Sequence, residues 1–206
     1  MLRIFVKLLF MKISRDVAYK LMTDWTESIS LQKHMLAVET AVAAYAKKMN
    51  QDEEYWAVAA LLHDFDYEKY PDFDVEAKTG HPYTGVAHLR ELGYPEDILE
   101  AILAHADYAN VARTSDLAKV LYACDEITGL ITASVLVRED KDIANQTIKS
   151  LKKKFKAKAF ARGVNREDVV RGAEELGVEL WEHIAFVLAA MQANAEVLGL
   201  DGSLAK

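Results

Sequence analysis

Six side chains in this sequence can hold a cation, and they are spread along its first two thirds. They are His34, the adjacent pair His63-Asp64, His81, His105 and Asp125. Imidazole nitrogen and carboxylate oxygen together suit a divalent metal such as Mn, Mg, Fe, Ni, Co or Zn, as one ion or two. Taken singly, each residue has a plainer reading. A lone histidine on an apolar helix face is ordinarily a core residue with its ring nitrogens bonded. A lone aspartate beside Cys124 can bond a neighbouring backbone. A buried carboxylate without a partner is costly, however. Several helices each turning one such group inward make a shared cation an attractive partner.

The elements that must position them read as helices. Ser14 is a plausible N-cap for a helix to Trp25. Ser30 is the expected cap of the next helix, to about Met49, whose inner stripe is His34, Val38, Ala41, Tyr45 and Met49. Glu53 to His63 forms a third, with Trp56, Ala59, Ala60 and His63 on one side. Residues 65–80 read as an acidic loop with Tyr67, Tyr70 and Phe73. Pro82 is expected as a first helical residue with His81 near the N-cap, and that helix stops at Gly93. Pro95 opens the next, with Ile98, Ala101, Ile102 and His105 inside. Ser115 caps a helix aligning Leu117, Leu121, Asp125 and Thr128. Residues 135–158 are mixed. Asn165 with Asp168 resembles a capping box for a helix to Gly177, and a last helix covers about 179–198. No alternating strand pattern of useful length, repeat or linker is present, so the expected fold is all-α, a single helical bundle.

Composition limits the function. The chain has 206 residues, 51% of them apolar, enough for one sizeable core. A net charge of -7 argues against binding a nucleic-acid polymer. The single cysteine fits a reducing cytoplasm. The apolar residues 1–10 are too short to span a bilayer and precede no signal cleavage site, so no membrane role is expected. They are either upstream of a true start at Met11 or packed on the body. We treat 1–13 as an extension and 14–206 as one domain, with a metal core at about 26–132 and a C-terminal helical part at about 133–206. The apolar N-terminus and the last helix are candidate surfaces for a homodimer.

The order His34, His63-Asp64, Asp125 resembles the HD-domain superfamily of metal-dependent phosphohydrolases. "KHMLAVE" is similar to that family's first-histidine helix, "AALLHDFDYEK" to its His-Asp helix and "LYACDEITGLI" to its terminal-aspartate helix. The likeness runs from about Leu21 to the end and is closest to small stand-alone bacterial members. It implies an HD-domain-like bundle in which His34, His63, Asp64 and Asp125 bind a first metal. In two-metal members further histidines join, and His81 and His105 fall in the matching places, with Asp64 bridging. Likeness to the cyclic-dinucleotide branch is weaker, because Ala104 stands where a paired histidine is expected and Gly93-Tyr94-Pro95 comes too early.

The implied activity is hydrolysis of a phosphoester in a small metabolite or nucleotide by metal-activated water, since a bound cation lowers the water pKa toward ~7. A di-iron oxygenase and a non-catalytic metal or nucleotide sensor are the alternatives on the same ligands. Asp64 and Asp66 are the expected catalytic carboxylates, Asp66 as proton shuttle or mere turn residue. Lys78, Arg138 and Lys149, the last opening the basic run Lys149–Lys158, are the expected substrate-binding cations, against the plainer reading of solvated surface charge. Tyr67, Tyr70 and Phe73 form either a lid or ordinary loop packing. Cys124 lacks a base and is no nucleophile. His183, far along in the last helix, is expected to be structural.

Overall fold

Side-chain caps set most helix starts in the computed structural model, which describes residues 13–205. Ser14, Ser28, Asp52 and Ser115 each accept the backbone N–H three residues on, opening α1 (Arg15–Trp25), α2 (Ile29–Lys48), α3 (Glu53–Leu62) and α6 (Asp116–Leu136). Between α3 and α6 lie α4 (Tyr83–Glu91) and α5 (Glu96–His105). After them come α7 (Ile148–Lys156), α8 (Arg166–Leu176), α9 (Leu180–Gln192) and the single turn α10 (Ala195–Leu198). Two isolated bridges, Asp74 with Thr79 and Asp142 with Asp201, are the only β pairings among the described residues. The fold is all-α, and no described helix is long and apolar enough to cross a membrane.

α2 and α3 form the centre. α3 is buried from Trp56 through Leu62, and its alanines let α2 approach closely. Each leucine buried there contributes roughly 1.5–3 kcal/mol against exposure. α6 lies along α2 on another side, and α5 packs on both α3 and α6. α8 closes on α6 at Gly172, where a Cβ would stand 2.7 Å from the Ala123 Cα. α9 spans α2 and α6, and His183 joins all three. Its Nδ1 accepts from the Tyr45 hydroxyl at 2.7 Å, and its Nε2–H donates to the Ala123 carbonyl at 2.8 Å.

Several helix boundaries differ from expectation. α2 starts two residues earlier, because Ser28 rather than Ser30 supplies the cap. Pro82 and Pro95 occupy cap positions rather than the first helical turn, so His81 lies outside α4. Asn165 caps α8 by accepting from Glu167 N–H, without Asp168. The expected last helix is broken at Ala193 and Asn194 into α9 and α10. The apolar extension at 1–12, expected to bear on dimerisation, lies outside the described residues.

Candidate metal centre

The helical period brings His34 from the first third of α2, His63 from the end of α3 and Asp125 from mid-α6 to one point. His34 Nε2 stands 2.9 Å from Asp125 Oδ1, and His63 Nε2 stands 3.6 Å from the same oxygen. Asp64 faces them with Oδ2, 3.7 Å from His34 and 3.5 Å from His63. Its other oxygen, Oδ1, turns to a second pair, 3.3 Å from His81 Nε2 and 3.4 Å from His105 Nε2. The two histidines of that pair are 3.3 Å apart. Two groups able to hold an ion result: His34, His63 and Asp125, and Asp64, His81 and His105.

The residues fit cations. Ligand atoms about 2.1 Å from a shared tetrahedral or octahedral ion stand about 3–3.5 Å apart, close to the separations observed. His63 Nε2 is buried with no hydrogen-bond partner, an orphan that a metal would satisfy. Three of the four rings are also fixed in one tautomer. His63 Nδ1–H donates to the Ala60 carbonyl at 2.7 Å, and His105 Nδ1–H donates to the Ile102 carbonyl at 2.5 Å. His81 Nδ1–H donates to Asp66 Oδ1 at 2.7 Å. Each points its Nε2 at the cluster, as metal-binding histidines do when the other ring nitrogen donates to a carbonyl or carboxylate. Electrostatics agree. Burial would push His63 down, but the charges of Asp64 and Asp125 outweigh it and hold its pKa well above the usual range. Burial pushes Asp64 and Asp125 up, but the histidines facing them hold both well below the carboxylate range. The cluster is built to be compensated by positive charge.

Asp66, expected as a proton shuttle or a turn residue, bonds to His81 through its first oxygen. It is 1% exposed, and its second oxygen, Oδ2, accepts the Gly85 N–H at 2.6 Å. With both oxygens engaged it orients His81. Gly85 has to be glycine there, since a Cβ would lie 2.6 Å from the Asp66 carboxyl carbon. The loop is cinched further at His81, whose N–H donates to the Tyr70 carbonyl at 2.8 Å and whose carbonyl accepts from the Tyr108 hydroxyl at 3.0 Å. Phe73 stacks on Tyr108 at 3.8 Å, so of the loop aromatics only Tyr67 faces the site, edge-on to His81.

A cavity of about 260 Å³ opens over the cluster. Asp64, His81, His105 and Asp125 line it, with Tyr67, Tyr108 and Tyr122 and with Asp107, Glu126 and Asp168, which sequence reasoning missed. Burial, then the charge of Asp125, push the Glu126 carboxyl up to about 7. Among the described residues no lysine or arginine lines the cavity. Lys78 instead lines a separate hollow with Tyr83 and Arg90. Arg138 pairs with Asp140 beyond the end of α6, and the helix from Asp125 to its end at Leu136 rises roughly 16 Å. Lys149 is exposed in the first turn of α7. Arg113 and Arg171 are both bonded to the wall residue Asp107, with Arg171 also held by Asp168 and Tyr122. The only sequence signal for them was spacing, with Asp107 two residues after a ligand and Arg171 one helical turn after Asp168. Cys124 is fully buried and its thiol is pushed up by that burial, so it stays protonated.

Residues 31–130 match the family model of the HD domain. These residues are an HD domain. The match brackets His34 and Asp125, and so takes in all six ligand candidates. No curated protein and no solved structure matches the chain. The HD superfamily is one of metal-dependent, hydrolase-type proteins, and the ligand geometry here is of the kind such an activity requires.

Proposed function

We propose that this HD protein is a metal-dependent phosphohydrolase that cleaves a phosphoester in a small phosphorylated metabolite or nucleotide. One observation carries the reading: the single carboxylate of Asp64 gives one oxygen to each of two histidine groups. His34, His63 and Asp125 would hold one divalent cation, His81 and His105 a second, and Asp64 both. Cations there supply a water of lowered pKa and a Lewis acid for phosphoryl oxygens.

The chain's own residues do the rest. His63 and His105, bonded through Nδ1 to their own helices, hold the ligand nitrogens without adjustment during turnover. The Asp66–His81 bond makes His81 a stronger donor. Tyr67, Tyr108 and Tyr122 wall the cavity with surface on which a sugar or base can rest. The test is elemental analysis followed by phosphate release from a panel of phosphomonoesters and nucleotides, with Mn, Mg, Ni, Co, Fe and Zn each supplied. Release that EDTA abolishes is expected. A fully loaded protein that releases no phosphate, or that consumes oxygen with iron, overturns the reading.

A further inference from the structure

Among the described residues Arg162 is the only arginine with no hydrogen-bond or ion-pair partner. Arg15, Arg90, Arg113, Arg138 and Arg171 all pair with carboxylates. Arg166 is spent on the backbone: its guanidinium collects the carbonyls of Phe160, Ala161 and Val164. That clamp fixes the loop between α7 and α8 and turns its carbonyls inward. The cationic side chains of the same segment are left outside. Lys156, Lys158 and Arg162 line one hollow of about 560 Å³, and none has a carboxylate partner among the described residues. Neighbouring lysines behave differently, since Lys152 lies over Trp181 and Lys154 over Phe160.

The hollow adjoins the metal cavity. Asn165 lines the hollow, and its N–H donates to Glu126, which lines the cavity, at 3.1 Å. Asp168, three residues after Asn165 on the same helix, also lines the cavity, so roughly 5–6 Å of helix wall separates the two spaces. Their charges are opposite. Among the described residues the cavity presents five carboxylates and no lysine or arginine, whereas the hollow presents four basic side chains against Glu167 alone, three of them free and the fourth, Arg166, bonded to backbone carbonyls. A substrate whose reacting phosphoester sits at the histidine cluster meets repulsion if it carries a second anion into the same cavity. Across the Glu126–Asn165 ridge that second anion meets attraction.

We propose that Lys156, Lys158 and Arg162 form a second anion subsite, which takes a phosphate or carboxylate of the substrate remote from the bond that is cleaved. This rests on the phosphohydrolase reading for the identity of the ligand but not for the existence of the site. It narrows the substrate class to small molecules with two separated anionic groups.

The test uses the full chain stripped of metal with EDTA and dialysed, so that the acidic cavity cannot hold an anion. Inorganic tripolyphosphate and citrate are titrated separately by calorimetry. About one equivalent of at least one probe should bind, and the tighter of the two tells phosphate from carboxylate. The double variant Lys158→Gln/Arg162→Gln should weaken that binding at least tenfold with an unchanged circular-dichroism melt. Should the double variant unfold, Lys158→Gln and Arg162→Gln singly carry the test, each with about a threefold loss. No saturable binding to the wild type, binding unaltered in the variants, or binding only of a long oligonucleotide overturns the proposal. Absent turnover with intact tripolyphosphate binding would indict the phosphohydrolase reading, and turnover without that binding would indict the subsite.

Discussion

The two ligand groups share Asp64 but are held in place by different forces. His34, His63 and Asp125 stand on α2, α3 and α6, whose packing is the core of the molecule. His81 stands in the loop before α4 and His105 at the last residue of α5. His105 shares the packing of α5 on α3 and α6, whereas the place of His81 depends on hydrogen bonds to Asp66, Tyr70 and Tyr108. Packing energy is spread over many contacts and tolerates the loss of one, whereas a hydrogen-bonded shell of this size has few members to lose. The first group should therefore survive changes that abolish the second.

The largest effect is expected where the comparison collapses, at the shared residue. Asp64→Ala should remove most metal from both groups and cut phosphate release by about a thousandfold or more, the several kcal/mol that metal activation supplies. Elemental analysis reading two equivalents in the variant would show that Asp64 serves neither group. The two groups then separate at His105. His105→Ala should lose about one of two metal equivalents while His34, His63 and Asp125 keep theirs. An unchanged stoichiometry would reduce the centre to a single ion.

A subtler break lies outside the ligands. Gly85→Ala drives a methyl to within 2.6 Å of the Asp66 carboxyl carbon, so Asp66 has to move and His81 loses its partner. Affinity at the second group should fall about 10- to 100-fold, and that of the first should hold. Competition of Mn against a chelator, fitted as two sites, separates them. Equal weakening of both sites would mean that the loop and the core are coupled.

The same contrast explains what could be read from the sequence. The all-α fold, most helices and the inward faces of His34, His63 and Asp125 follow from apolar spacing, because a period of 3.6 places residues on one face wherever the helix goes, and that these three meet was implied by the likeness to HD domains. Ser14 and Ser115 were legible as caps for a local reason, a side-chain oxygen three residues before an open N–H. The shell of the second group was not legible. Asp66 reads as a turn residue until Gly85, nineteen positions on, comes back to meet it. The cations failed for the opposite reason. Where an exposed lysine points depends on how loops dock, so Lys78 and Lys149 could not be placed. Arg138, however, has its partner Asp140 two residues away, and that local pair was visible. The break of the last helix at Asn194 has no strong sequence mark, since neither proline nor glycine stands there.

The smallest expected effect tests how the packed group is supported. His183 ties α9 to Tyr45 on α2 and to the Ala123 carbonyl, two residues before Asp125. Burial holds its pKa below the ordinary value of 6.5, and the ring is neutral, accepting at Nδ1 and donating at Nε2. The unfolded chain takes up this proton near pH 6.5 while the folded chain resists, so below that pH the unfolded state binds more protons. The contribution of His183 to stability is thus complete above about pH 6.5 and declines as pH falls toward the lowered folded value, by at most about 1.4 kcal/mol per pH unit. Other groups also exchange protons over this range, so wild type has to be compared with His183→Gln by urea unfolding at each pH. Their contribution cancels in the difference. The gap between the two proteins should be largest at pH 7.5 and narrow by pH 5.5. A gap independent of pH would mean that the ring takes up its proton alike in the folded and unfolded chain, and a gap that widens toward pH 5.5 would mean a ring protonated in the fold, with Nδ1–H donating to the Tyr45 hydroxyl.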